Sequence, residues 1–144
     1  MDQYFPKQCP KCNETKLPSE FHKDPRNKTG LTSWCNSSRR AKNKEWIKAN
    51  PEKAKRSRRN TTLKRVYGIT LKEYEKMLTT QGDKCAICKT TSPGGAGNIF
   101  VVDHCHTNDK VRSLLCTKCN CAIGLLNEDP ALFDAAKRYL QGHS

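Results

Sequence analysis

Two Cys-x-x-Cys pairs, Cys85/Cys88 and Cys116/Cys119, with 27 residues between them, constrain this chain more than any other feature. A two-residue spacing lets both thiolates of a pair reach one metal ion, and two pairs complete a tetrahedron with Zn–S bonds of about 2.3 Å. Four Cys ligands leave no position for water, so the expected zinc is structural and clamps the ends of the segment between the pairs. The composition calls for such a clamp. Hydrophobic residues make up 35% of the 144 residues and aromatics 7%, below the usual apolar share, so a large core is not available. The nine cysteines are odd in number and lie at metal-ligand spacing without a βαβ context, which favours thiolate ligands over disulfides and redox pairs.

Charge points to the partner. Lys and Arg total 27 against 14 acidic residues, a net charge of +13, and a polyanion is the natural complement: nucleic acid first, an anionic membrane surface second. The charge is local, since residues 39–65 hold twelve basic residues and two acids. No stretch approaches the 18 or so apolar residues of a membrane span, and Met1 to Gln8 lacks a signal peptide's apolar run, so a cytoplasmic protein is expected.

Three segments follow: a Cys-rich module over 1–38, a basic helical segment over 39–66, and the domain carrying the paired cysteines over 67–144. The first places Cys9, Cys12 and Cys35 among turn formers such as Pro10, Pro18, Pro25 and Gly30, a metal-organised loop module. In the second, Asn50 as N-cap and Pro51 at the first helical position predict that two helices meet there, and Gly68 stops the second. Thr70 opens a further helix by a capping box with Glu73 and a staple of Ile69 on Tyr74, ending near Gly82. A strand is expected over Ile99 to Val102 and another over Val111 to Leu115, with Asn108 and Asp109 at the hairpin tip. A helix should follow Cys119, and Asp129 with Pro130 should cap a last one through Tyr139. The fold class is therefore α+β, small, with a zinc-stapled strand-strand-helix core and flanking helices.

Asp103, His104 and His106 fall at the end of an apolar strand inside the loop closed by the zinc, and Asn120 directly follows the last zinc ligand. A carboxylate and an amide oxygen are hard donors suited to Mg²⁺ or Mn²⁺, while an imidazole is largely neutral at pH 7 to 8 and accepts a proton from water. Together they fit metal-assisted phosphodiester hydrolysis.

Cys85-Ala86-Ile87-Cys88, then Val101-Val102-Asp103-His104-Cys105-His106, then Lys110 through Asn120, closely resemble the recombination endonuclease VII family of phage-type HNH, or His-Me finger, nucleases. The resemblance covers roughly residues 62–140. It implies a ββα-metal fold in which Asp103 and Asn120 hold one catalytic divalent cation, His104 is the general base and His106 handles the phosphate. The implied function is a Mg²⁺- or Mn²⁺-dependent DNA endonuclease of little sequence specificity that leaves 5′-phosphate and 3′-hydroxyl ends, in host cytoplasm for a phage-encoded chain. Well-known relatives are intertwined dimers that resolve four-way junctions, so the flanking helices are candidates for a homodimer contact. A non-catalytic zinc-containing DNA-binding module is the alternative of another class, and RNA an alternative substrate.

Arg39, Arg40, Lys55, Arg56, Arg58 and Arg59 are the candidate phosphate contacts of the basic segment. Lys110 and Arg112 alternate on the second strand, where they either grip flanking phosphates or form a solvated face. Two features depart from the family pattern. Cys105 separates the histidines, as a small filler rather than a soft ligand. The family's resolvases also carry a catalytic Glu soon after the Asn, whereas this chain reads Cys121-Ala122-Ile123-Gly124, which favours nicking or cutting over junction resolution. The Cys9/Cys12/Cys35 module resembles a second zinc knuckle, but Ser38 stands where a fourth Cys is expected. Either His22, Asp24 or a water then completes the site, or the module binds zinc weakly or not at all.

Overall fold

The computed structural model describes residues 5–95 and 97–143. The chain divides into two compact units, Met1–Arg56 and Ser57–Ser144. Among the described residues, no helix is long and apolar enough to cross a membrane.

In the first unit, β1 (Lys7–Gln8) pairs antiparallel with β2 (Thr15–Lys16). The turn between them carries Cys9 and Cys12 and is closed by Cys9 N–H to Glu14 O at 2.9 Å and Asn13 N–H to Cys9 O at 2.8 Å. A bridge between Lys23 and Leu31 closes the following loop. Cys9, Phe21 and Cys35 form the small core, with Cys12, Leu31 and Trp34 against it. Helix α1 (Asn36–Ala49) starts directly after Cys35, and Ser38 is its buried residue.

Helix α2 (Pro51–Tyr67) begins at the expected proline. Asn50, expected as its N-cap, spends its side chain on the preceding helix: both its N–H and its Nδ2 donate to Trp46 O, at 2.8 and 3.1 Å. Only its carbonyl serves α2, accepting from Ala54 N at 3.0 Å. Gly68 stops α2 with φ +70°, a left-handed conformation that glycine adopts without strain. Helix α3 (Leu71–Thr80) has the full capping box between Thr70 and Glu73.

Strands β3 (Val101–His104) and β4 (Val111–Leu115) form an antiparallel pair, followed by α4 (Thr117–Leu125) and α5 (Pro130–Gly142). This is a ββα unit with a closing helix. Leu63, Leu71, Tyr74, Phe100, Val102, Leu114 and Leu115 pack around Cys85 and Cys116 as its core. Gln81 ties α3 to β4, accepting from Leu114 N–H and donating to Leu114 O, both at 2.9 Å, while Ala86 N–H donates to the same carbonyl at 3.1 Å.

Two boundaries and the placement of Lys110 and Arg112 differ from expectation. β3 starts at Val101 rather than Ile99, because the Phe100 carbonyl accepts from Tyr74 Oη at 2.9 Å instead of joining the ladder. α4 starts at Thr117, before Cys119, because Cys116 is its N-cap and Thr117 N–H is taken by Pro93 O at 2.8 Å. Lys110 lies in the turn ahead of β4 rather than on it, and Asp103 pairs with Ser113 while His104 pairs with Val111. Arg112 is therefore the extra residue of a β-bulge, and Lys110 and Arg112 do not alternate on one strand face. Such a bulge re-aims the side chain it carries.

Candidate active site and metal centres

The thiols of Cys85, Cys88, Cys116 and Cys119 all lie within 4.8 Å of one another. One pair comes from the knuckle after α3 and the other from the N-terminus of α4, so a single zinc would join α3, β4 and α4. Burial raises the Cys85 thiol, but hydrogen bonds from the backbone of Cys116, Cys88 and Ile87 outweigh it and bring it down to about 6. Cys119 is pushed up to about 12 by burial and by the neighbouring thiols. Four sulfurs grouped this closely suit a thiophilic cation such as zinc.

Gly95 is built into this centre. It has φ +71°, and a Cβ there would come within 2.7 Å of Thr117 Oγ1, whose hydroxyl donates to Gly94 O at 3.1 Å. The glycine loop thus seats the first turn of α4, the turn that carries Cys119 and Asn120.

Asp103, His104, His106 and Asn120 line one pocket of about 110 Å³, together with Tyr67 and Glu128. β3 delivers Asp103 and His104, the hairpin turn His106, and α4 Asn120. The His104 ring meets the Tyr67 ring edge-on, centroids 5.4 Å apart, and the His106 ring at 5.0 Å. Two aromatic neighbours leave the imidazole little freedom to rotate.

Asp103 is 7% exposed, and a carboxylate so buried needs a partner. Arg112 is that partner: Nε donates to Oδ2 at 2.7 Å and Nη2 to Oδ1 at 2.8 Å. Arg112 Nη1 also donates to Glu128 Oε2 at 2.9 Å, and Glu128 Oε1 lies 3.2 Å from His106 Nδ1. The Arg112 bonds hold the Glu128 carboxyl below its ordinary value. Each Asp103 oxygen keeps a second lone pair, so the carboxylate remains able to ligate a cation. With the Asn120 amide it offers the hard oxygen donors that Mg²⁺ or Mn²⁺ takes.

Tyr67 and Glu128 were not singled out in the sequence. Tyr67 is the last residue of α2, 36 positions before Asp103, and no local pattern links them. Glu128 sits eight positions past Asn120 in the turn between α4 and α5, at φ +58° next to Asn127 at φ +53°. Consecutive left-handed residues fold that turn back towards the sheet, and Asn127 next to the Asp129-Pro130 helix start is its only sequence signal.

Among the cationic candidates, Arg39, Arg40, Lys55, Arg56, Arg58 and Lys110 have exposed side chains. Arg59 lies over the Tyr74 ring at 4.3 Å. In the first unit the thiols of Cys9, Cys12 and Cys35 form a second group within 4.8 Å. His22 and Asp24 stand outside it: His22 is exposed, and the Asp24 carboxylate is occupied by Arg26 and Asn27. Cys105 belongs to neither thiol group. Its backbone closes the hairpin turn through Lys110 O and Asp109 N–H.

The second unit thus combines a strand-strand-helix core, a four-thiol group and a pocket lined by Asp103, His104, His106 and Asn120. The sequence model of the recombination endonuclease VII family matches residues 60–142, and the chain belongs to that family. The Gene 59 protein of Mycobacterium phage D29 is 42% identical over 60 residues, 42% of this chain and 35% of that protein. The Gene 59 protein of Mycobacterium phage L5 is 37% identical over 81 residues, 56% of this chain and 48% of that protein. The chain thus spans less than half the length of these relatives. The crystal structure of the ββα-Me type II restriction endonuclease Hpy99I aligns with 99% of this chain and 68% of that one, at 20% identity and a TM-score of 0.39.

Proposed function

We propose that this protein is a divalent-cation-dependent DNA endonuclease. The observation that carries the reading is the convergence of Asp103, His104, His106 and Asn120 on one pocket, in a chain of the endonuclease VII family. His104, held between Tyr67 and His106, takes a proton from the attacking water. Asp103 and Asn120 hold Mg²⁺ or Mn²⁺, which when bound stabilises charge on the phosphate and the leaving oxygen. Arg112 fixes the Asp103 carboxylate in orientation, and its role shifts from phosphate contact to positioning. Glu128 does the same for His106, which faces the scissile phosphate. Arg39, Arg40, Lys55, Arg56, Arg58, Arg59 and Lys110 supply sequence-independent contacts to the DNA backbone. The Cys85/Cys88/Cys116/Cys119 zinc remains structural, with no ligand position open to water.

Glu128 favours a second reading. The absence of an acid just after Asn120 argued against junction resolution, yet a carboxylate reaches the pocket from eight positions on, so a structure-selective resolvase becomes a specific alternative. The test is nicking of supercoiled plasmid with Mg²⁺, Mn²⁺ or EDTA by wild type and His104→Ala, run beside a four-way junction, single strands and RNA. Metal-dependent relaxation lost in the variant is the expected result. Binding of DNA with no cleavage of any substrate would leave the zinc-containing binding module as the function.

A further inference from the structure

The three-thiol group of the first unit lacks the fourth ligand that a tetrahedral zinc site takes. No described His, Asp or Glu joins Cys9, Cys12 and Cys35. One oxygen does approach them. Ser38 is 8% exposed, and its hydroxyl accepts from Cys35 Sγ at 3.3 Å and from Cys9 Sγ at 3.6 Å. Cys12 Sγ lies 3.8 Å from Cys35 Sγ, so two of the three grouped sulfurs hydrogen-bond to one buried oxygen and the third is beside them. Ser37 approaches Cys35 Sγ at 3.1 Å but is exposed and touches that thiol alone among the three.

The local fold explains the placement. Cys35 is the N-cap of α1, and residue 38 is therefore three positions into the first turn, on the side facing back to the cap. This is the position that Cys119 occupies after Cys116, itself the N-cap of α4. The two units thus present the same device, a helix N-terminus offering ligands at positions i and i+3. In the second unit both ligands are thiols; in the first the inner one is a hydroxyl.

We propose that Cys9, Cys12, Cys35 and Ser38 form a second zinc site in which Ser38 Oγ is the fourth ligand. On binding, zinc displaces the protons of three thiols to solvent and takes a lone pair from the hydroxyl, in place of the two thiol-to-hydroxyl hydrogen bonds. A neutral hydroxyl is a weaker donor than a thiolate, so this site holds zinc less tightly than the four-Cys site. The first unit is then the part of the protein whose folding follows the free zinc concentration.

The test uses the full chain with Ser38→Ala and Ser38→Cys. Zinc per chain is measured at saturation, affinity by competition with a chromophoric chelator, and thiolate number from the charge-transfer absorption of the Co²⁺-loaded protein. Wild type should hold two zinc ions, one released to the chelator well before the other. Ser38→Ala should weaken the labile ion by about tenfold or more and leave the other unchanged. Ser38→Cys should tighten the labile ion and raise the Co²⁺-thiolate absorption from that of seven thiolates to that of eight. Because it refills the same buried position with a ligand, it also shows that a loss in Ser38→Ala is not a loss of fold. One zinc per chain in saturated wild type overturns the proposal. So does a Ser38→Ala protein that binds both ions as wild type does, or a Ser38→Cys protein with no added thiolate absorption.

Discussion

Arg112 holds both carboxylate oxygens of Asp103, at 2.7 and 2.8 Å, from the bulge of the neighbouring strand. A planar guanidinium can do this and a Lys ammonium cannot. Arg112→Lys should therefore reduce plasmid nicking by about tenfold or more while DNA binding, read by fluorescence anisotropy, changes little. Arg112→Ala should also lower stability by about 1–3 kcal/mol, since it leaves a buried carboxylate unpaired while the lost cation was partly solvated. A large loss of DNA affinity with normal cleavage at saturation would restore Arg112 to the phosphate contacts.

The Glu128 carboxyl is held below its ordinary value, chiefly by its hydrogen bond from Arg112. Its folded value lies below its unfolded one, so its contribution to stability is present above about pH 4.3 and fades as the pH falls through the depressed value. Glu128→Gln should lower the melting temperature at neutral pH and flatten its fall on acidification. Thermal melts from pH 7 down to about pH 3 measure this, and parallel curves for the two proteins would count against it.

Removal of the zinc from the second unit should unfold it rather than slow it. Cys116 is at once a ligand, the N-cap of α4 and a member of the core. Cys116→Ala should abolish the cooperative melt and cut the zinc content, whereas Cys105→Ala and Cys121→Ala, which touch neither thiol group, should leave both intact. Retention of full zinc content by Cys116→Ala would contradict the assignment.

Tyr67 packs edge-on against His104 without belonging to the reacting groups. His104→Ala should reduce the rate by a factor of about 10² to 10⁴, the range for losing a general base. Tyr67→Leu should cost less, by loosening the imidazole. Measured across pH, Tyr67→Leu should keep the wild-type profile shape at a lower plateau, and His104→Ala should lose the limb that reports the base.

What could be read in advance follows from what is local. The capping box of Thr70 and Glu73, the stop at Gly68 and the Asp129-Pro130 helix start depend on residues within a few positions, and each occurs as expected. Asp103, His104 and His106 could be named because the Cys pairs bracket them and Asn120 because it follows the last Cys of the second pair, and their roles came from the resemblance of the surrounding motif to a known family. Glu128, Tyr67 and the Arg112 clamp could not, because a left-handed turn, the end of a distant helix and a bulge place them. The same limit displaced β3, whose start depends on the hydroxyl of Tyr74, 26 positions before Phe100. Asn50 fits an N-cap pattern and a C-cap pattern equally well, and its side chain took the second.

Gln81 bonds both the N–H and the carbonyl of Leu114, and Ala86 takes the same carbonyl again. A two-stranded ribbon is the sheet most open to recruitment by another chain, because each strand has an outer side with bare peptide groups. Here one glutamine takes both outward peptide groups of Leu114, with the donor and acceptor pairing of a missing strand. Intermolecular pairing along β4 is therefore blocked at Leu114 for as long as Gln81 stays docked on the strand.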